Sequence, residues 1–273
     1  MLEWWQMALL VATGLLGGTL GGFLGIGGTI VFLPLMKIIW DAGGGEPLDP
    51  HTAIAATLVL NVCVGASATI GHWRAGRVMT SIVKILVPTS IAASLAGVWA
   101  GNLFTGDSRE LLWRLFGLLM VYVLAVNAYR LVRPLAAVDS ATGDVVGPPP
   151  NRWAVGCIGL MVGFASGLLG IGGGAIAVPA QQVLLRMRLR AAIANSAVTV
   201  VFSCLLAAAI KHATLASHGV SLLVPWIFVG LLAPPAMVGA QVGARLTHRV
   251  SRVWLRLVFI AFLAWTAYKM LSM

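Results

Sequence analysis

A fourteen-residue stretch, Gly21 to Pro34 (GGFLGIGGTIVFLP), recurs 145 residues later as Ser166 to Pro179 (SGLLGIGGGAIAVP), with seven positions identical. The chemistry such a stretch offers is that of backbone amides. Gly25, Gly27 and Gly28 in the first copy, and Gly170, Gly172, Gly173 and Gly174 in the second, form a run that a helix carries at a cost. Each glycine there loses roughly 1 kcal/mol relative to alanine and readily takes positive φ. Each copy therefore reads as a break between two short helices. Thr29 and Gly174 open a new helix after the break, and its unpaired N–H groups and positive dipole end suit an anion. Lipid offers such amides no partner, so they must be buried in protein or line a cavity. Two of these ends meeting near the bilayer midplane make a transporter's substrate site.

Downstream of each break a weaker match pairs Ile54-Ala55-Ala56-Thr57 with Ile193-Ala194-Asn195-Ser196. Polar side chains in membrane helices face protein or water, so Thr57, Asn61, Asn195, Ser196 and Thr199 are candidates to line the site. The competing use for them is hydrogen bonding between helices. Gln181 and Gln182 follow Pro179 as weaker candidates. All eight acidic residues and all five histidines fall in loops or near span ends, so no midplane carboxylate relay for protons is visible. Cys63, Cys157 and Cys204 lie inside apolar stretches and read as packing residues. No glycine run continues into the Lys-Ser/Thr of a phosphate loop. The sequence therefore calls for no cofactor, metal or nucleotide.

The elements that must position these residues are membrane helices. Of 273 residues, 59% are hydrophobic and 10% charged, with mean hydropathy +0.95, a composition for lipid rather than water. The formal charge of +10 is spread over short segments between apolar runs, which points to membrane orientation and away from nucleic acid. Single-crossing stretches lie at about 52–71, 80–103, 111–131, 191–210, 220–244 and 254–271. The two stretches holding the glycine motif, 6–39 and 153–185, are too long for one upright crossing and too short for two. A re-entrant hairpin of two short helices with the glycines at its tip fits that length. Charge agrees: if both hairpins return to their entry side, 13 of the 18 Lys and Arg share one face, against an 8 to 10 division otherwise.

Residues 1–132 and 153–273 then form two repeats, each a hairpin plus three spans, joined by a Pro- and Gly-rich cytoplasmic linker at 133–152. An odd number of crossings per half makes them an inverted repeat, and both termini face the periplasm or exterior. The fold class is an all-α polytopic membrane protein. Small-xxx-small pairs at Gly17 and Gly21, Gly163 and Gly167, Gly97 and Gly101, and Gly239 and Gly243 are read as close helix packing.

The doubled motif, GGFLGIGGTIVFLP and SGLLGIGGGAIAVP, each opening one half of a small eight-segment hydrophobic chain, resembles the signature of the sulfite exporter TauE/SafE family, the 4-toluene sulfonate uptake permeases. The likeness covers both halves. It implies transport of a small sulfur-containing anion, such as sulfite, sulfoacetate, thiosulfate or another organosulfonate, across a bacterial inner membrane. Where family members carry a Gly-Thr-Ser-like run, this chain has Ala55-Ala56-Thr57 and Ala194-Asn195-Ser196, a departure that bears on the substrate. Exporting one negative charge from an inside-negative cell releases roughly 2.3 kcal/mol per 100 mV, so export needs no coupling ion. A proton- or sodium-coupled importer, or a carrier of another small anion, is the alternative; whether the chain works alone or as a homodimer stays open. A membrane enzyme lacks a nucleophile or acid–base pair here, and a cation carrier lacks intramembrane acids.

Overall fold

The structure is a computed structural model, described for residues 2–24, 27–132, 151–246 and 252–271. Gly25, which the motif marks as a site residue, and residues 133–150 of the linker expected at 133–152 lie outside the described residues, while Asn151 and Arg152 cap and open α6 instead. Ten α-helices are present among those described: α1 (Trp4–Leu24), α2 (Thr29–Asp41), α3 (Pro50–Arg74), α4 (Thr80–Asn102), α5 (Glu110–Val132), α6 (Arg152–Leu169), α7 (Gly174–Leu184), α8 (Leu189–Thr214), α9 (Leu223–Leu246) and α10 (Arg252–Leu271). Six helices among the described residues, within α3, α4, α5, α6, α8 and α9, are long and apolar enough to cross a membrane. The chain is an all-helical, multi-pass membrane protein.

The helix boundaries follow from local chemistry. The Asp49 carboxylate accepts the His51 amide, and Pro50 fills the first helical position, so α3 starts there. Asn151 caps α6 in the same way, and α6 stops at Gly170, whose left-handed φ of 68° donates its N–H back to the Ser166 carbonyl. Pro34 and Pro179 each stand at the sixth position of the short helix after a break. There a proline removes one i to i−4 bond, which releases the carbonyls of Ile30 and Ala175.

The two arms around each break are unequal. α1 and α6 have 21 and 18 residues, about 31 and 27 Å long. α2 and α7 have 13 and 11, about 20 and 16 Å. The first arms are thus longer than the short helices the sequence implies, because the apolar run ahead of each glycine cluster is itself nearly span length.

Helix packing exchanges partners between the halves. α1 packs on α9 and α6 on α4; α3 packs on α8 and α9, α8 on α3 and α4, and α5 on α10. Small residues allow the closest approaches, since lipid supplies no hydrophobic drive and backbones must come near to gain contact. A Cβ on Gly18 or Gly22 would overlap the carbonyls of Ala236 or Ala240, and one on Gly163 or Gly167 those of Ser90 or Ser94. Gly14 and Gly159 extend each row by a turn against Leu232 and Leu86. Close packing explains these glycines, but the register differs by one from the sequence pairing: Gly18 and Gly22, rather than Gly17 and Gly21, answer to Gly163 and Gly167. Gly17 and Gly21 instead face the chain's own first break, against Phe32 and Gly28. Gly97 and Gly239 meet α6 and α1 at Phe164 and Leu15.

α3 and α8 form the centre. Their apolar stretches are 56% and 61% buried, against 39–44% in the other four spans. They run antiparallel: the amide of Met79, just beyond α3, donates to Asn195 near the start of α8 at 2.9 Å. At the opposite end Lys211, near the end of α8, meets His51 at the start of α3.

Candidate functional site

The two breaks meet at one side chain. Asn61, halfway along α3 and 1% exposed, donates through Nδ2 to the Gly170 carbonyl at 2.9 Å. Its Oδ1 accepts from the Thr29 hydroxyl at 2.5 Å. One amide group thus fastens the first helical residue after the first break to the last residue before the second. The second break comes this close only because Gly172 lacks a side chain. A Cβ on Gly172 would stand 2.7 Å from Asn61 Cγ, and Gly27 and Gly172 take φ of 78° and 69°. The position of a Cβ on Gly27 is 3.5 Å from Asn61 Oδ1 and 3.9 Å from the Ile171 carbonyl oxygen.

Beside this junction lies a cavity of about 40 Å³, room for a few waters or a small oxyanion. Gly21, Gly22 and Gly27 of the first motif form one wall and Gly174, the first residue of α7, another. α3 contributes Asn61, Gly65, Ala68 and His72; α8 contributes Ile193, Ser196, Ala197 and Val200. The α3 residues recur at i, i+4, i+7 and i+11, one helix face. The cavity therefore extends about 16 Å along α3, from the break to the end bearing Arg74 and Arg77. No acidic residue stands among its described lining. Ser196, 1% exposed, has a hydroxyl with no hydrogen-bond partner, and Gly174, whose amide has no partner within its own helix, lines the same space.

The remaining sequence candidates sit around the cavity rather than on it. Thr57 is fully buried, bonds its own helix at Ile54 and packs against Gly170, where a Cβ would stand 2.6 Å from its hydroxyl. Gly28 backs onto Phe32 and Gly17, and Gly173 onto Val162. Asn195 is spent on structure: Oδ1 accepts from the Met79 amide and Nδ2 donates to Gln181 at 3.3 Å. The Thr199 hydroxyl bonds the Asn195 carbonyl at 2.8 Å. Gln181 also donates weakly to the carbonyls of Ala177 and Ala192, while Gln182 leaves a buried carbonyl oxygen unpaired. The weak match between α3 and α8 becomes a crossed arrangement. Ile54 and Thr57 of the first half cover the second break, whereas Ile193 and Ser196 of the second half share the cavity with the first motif.

Sequence reasoning passed over His72, whose signal was the α3 stripe itself. It also placed Lys211 in an outer loop, whereas α8 continues to Thr214 and the lysine is 1% exposed. His51 lies near a span end, as the sequence implies, in the first turn of α3, and is fully buried there.

The profile of the sulfite exporter TauE/SafE family matches residues 10–270, both halves of this arrangement. The chain belongs to that family. It is a membrane transporter of the TauE/SafE family, and its relatives carry transporter names. The probable membrane transporter protein YunE of Bacillus subtilis is 28% identical over 90% of each chain. A probable membrane transporter of Methanocaldococcus jannaschii is 24% identical, covering 94% of this chain and 92% of its own length. The probable membrane transporter protein MamO of Paramagnetospirillum magneticum is 28% identical over 96% of this chain, which spans 44% of MamO. No solved structure matches.

Proposed function

We propose that this TauE/SafE transporter moves a small sulfur-containing anion, such as sulfite, sulfoacetate or another organosulfonate, out of the cell across the bacterial inner membrane. The anion is held in the cavity between the breaks, near the bilayer midplane. The observation that carries the reading is the cavity's inventory: the N-terminus of α7, an unpaired Ser196 hydroxyl and a glycine-lined wall, with no described carboxylate. Amides and hydroxyls are the donors an oxyanion needs, and the absence of a fixed negative charge keeps the site open to one.

The two halves act as inverted repeats around this site. In support, helices five apart in the numbering exchange equivalent partners, and the equivalent pair α3 and α8 runs antiparallel. Residues 1–132 and 153–273 are the repeats, with a cytoplasmic linker between them and both termini outside. Each long-arm, short-arm pair then acts as a re-entrant unit whose tip reaches Asn61. With the arginine-rich loops in the cytoplasm, the cavity faces inward, and export runs down the membrane potential without a coupling ion.

The test is anion flux from proteoliposomes of the purified protein, comparing sulfite, sulfoacetate, thiosulfate, sulfate and chloride under an imposed potential or pH gradient. Saturable sulfite or sulfonate flux that follows the potential alone is expected. Flux that demands a pH or sodium gradient would replace the facilitated mechanism with a coupled one. Absence of flux for every anion, in folded protein, would remove the anion reading.

A further inference from the structure

We propose that Lys211 and Arg109 form a second small-oxyanion subsite at the end of α8 remote from the cavity, where the transported anion docks on its way out. The inference rests on the anion-transport reading above.

Lys211 is 1% exposed, yet its two polar partners are neutral: Nζ lies 2.6 Å from His51 Nδ1 and 2.7 Å from Asn102 Oδ1. The proton arrangement follows from the neighbours. His51 Nε2 lies 2.8 Å from the Phe104 carbonyl, which only accepts, so that nitrogen carries the hydrogen and Nδ1 accepts from the lysine. The ammonium's third hydrogen has no acceptor among the described residues. A buried cation with no carboxylate in direct contact is costly, and the structure holds this one with neutral groups that can let go.

Arg109 belongs to the same cluster through His218 and Asn102. Its Nη1 pairs with Asp49 Oδ2 at 2.7 Å and its Nη2 donates to the His218 carbonyl at 2.7 Å, but its Nε is buried without a partner. The His218 ring lies 4.3 Å from the His51 ring, and its Nε2 sits 3.1 Å from the Asn102 carbonyl. The cluster thus joins α3, α4, α8 and the turn that leads into α5, carrying two cations against the single carboxylate of Asp49. Two cationic N–H donors are left over within it.

An exit lies alongside. A vestibule of about 440 Å³ is bounded by Asp49, Pro50, Arg109 and Gly219, with Glu46 and Glu110 also on its wall. Both members of the Asp49–Arg109 pair stand on its wall, and on this proposal their separation opens the way to Lys211. About 22 Å of α8 lies between Ser196 and Lys211, so the helix that lines the cavity also carries the second subsite. The two glutamates lower the local concentration of anions at the vestibule mouth.

Sulfite flux in right-side-out and inside-out membrane vesicles separates this from a purely structural role. Lys211→Met is expected to raise the half-saturation concentration at least tenfold for sulfite offered on the vestibule side and to leave the value on the cavity side unchanged, while Lys211→Arg stays near wild type. Asn102→Asp gives the lysine an internal carboxylate that competes with the anion. It should produce the same one-sided rise while keeping Lys211 bonded at that position, at the cost of the 3.1 Å bond from Asn102 Nδ2 to Thr214, which covers a Lys211→Met protein that fails to fold. Equal changes on both faces, or none on either, would overturn the subsite. Wild-type vesicles that carry none of the anions compared above would instead overturn the transport reading, and the subsite with it.

Discussion

Asn61 and Ser196 lie in one cavity and do opposite jobs. Asn61 spends both ends of its amide on the two breaks, so its loss strands a buried hydroxyl and a buried carbonyl, each worth about 1–3 kcal/mol. Asn61→Asp keeps an acceptor for Thr29 but removes the donor to Gly170 and puts a carboxylate where the anion sits; transport is expected to fall at least tenfold. Ser196→Ala should leave thermal unfolding in detergent within about 0.5 kcal/mol of wild type, because its hydroxyl has no partner to lose. Yet a hydrogen bond to a charged ligand is worth about 1.5–3 kcal/mol, so sulfite half-saturation should rise tenfold or more in the same variant. A parallel loss of stability in Ser196→Ala, with affinity unmoved, would assign the serine to packing. Ser196 was legible from the repeated tetrapeptide around it. The clip made by Asn61 was not, since nothing in one sequence says that a side chain on α3 will meet two loops 109 residues or 32 residues away.

At the level of helices, the glycine rows set how near the halves come. Gly18→Val and Gly163→Val each drive a side chain into a facing backbone carbonyl, and a packed backbone yields poorly, so each is expected to cost roughly 1–3 kcal/mol or more. Gly230→Ala is the control: no atom lies within 4 Å of its added carbon, and the change should be neutral or stabilise by up to about 1 kcal/mol. Thermal unfolding in detergent ranks the three. Five of the six single crossings, the two breaks and the use of small residues were all readable from apolar length and glycine content. The row register was misread by one residue in α1, because adjacent glycines at 17 and 18, and at 21 and 22, satisfy the same spacing. Only the partner helix, far along the chain, decides between them. The length of α1 and α6 relative to α2 and α7 was obscured for a related reason: apolar count gives the sum of two arms, and the position of the turn divides it.

Across the whole molecule, cations are treated differently at the two ends. Lys37 is paired with Asp41 at 2.9 Å and lies 4.9 Å from the Trp113 ring, Arg109 is paired with Asp49, and Lys211 is enclosed. These three belong to the face assigned to the exterior, so the asymmetry that orients the chain is greater than the count of residues implies. Cysteines introduced at Ala75 and Arg190, both exposed, should react with a membrane-impermeant thiol reagent only from the cytoplasmic side. Those at Gly45 and Ser217, also exposed, should react only from the other. Ala75 and Arg190 labelling from opposite sides would dismantle the inverted arrangement.

The exchange of partners between halves also sets a schedule for synthesis. The glycine row of α1 has its seat on α9, which the ribosome completes about 220 residues later. At about 5–20 residues per second this is a wait of roughly 10–40 s. Through that interval the nascent first half stands in the bilayer with its closest-packing face bare and its break without the Gly170 side of the junction. The insertion machinery, rather than the rest of the protein, must shelter it until the second half arrives.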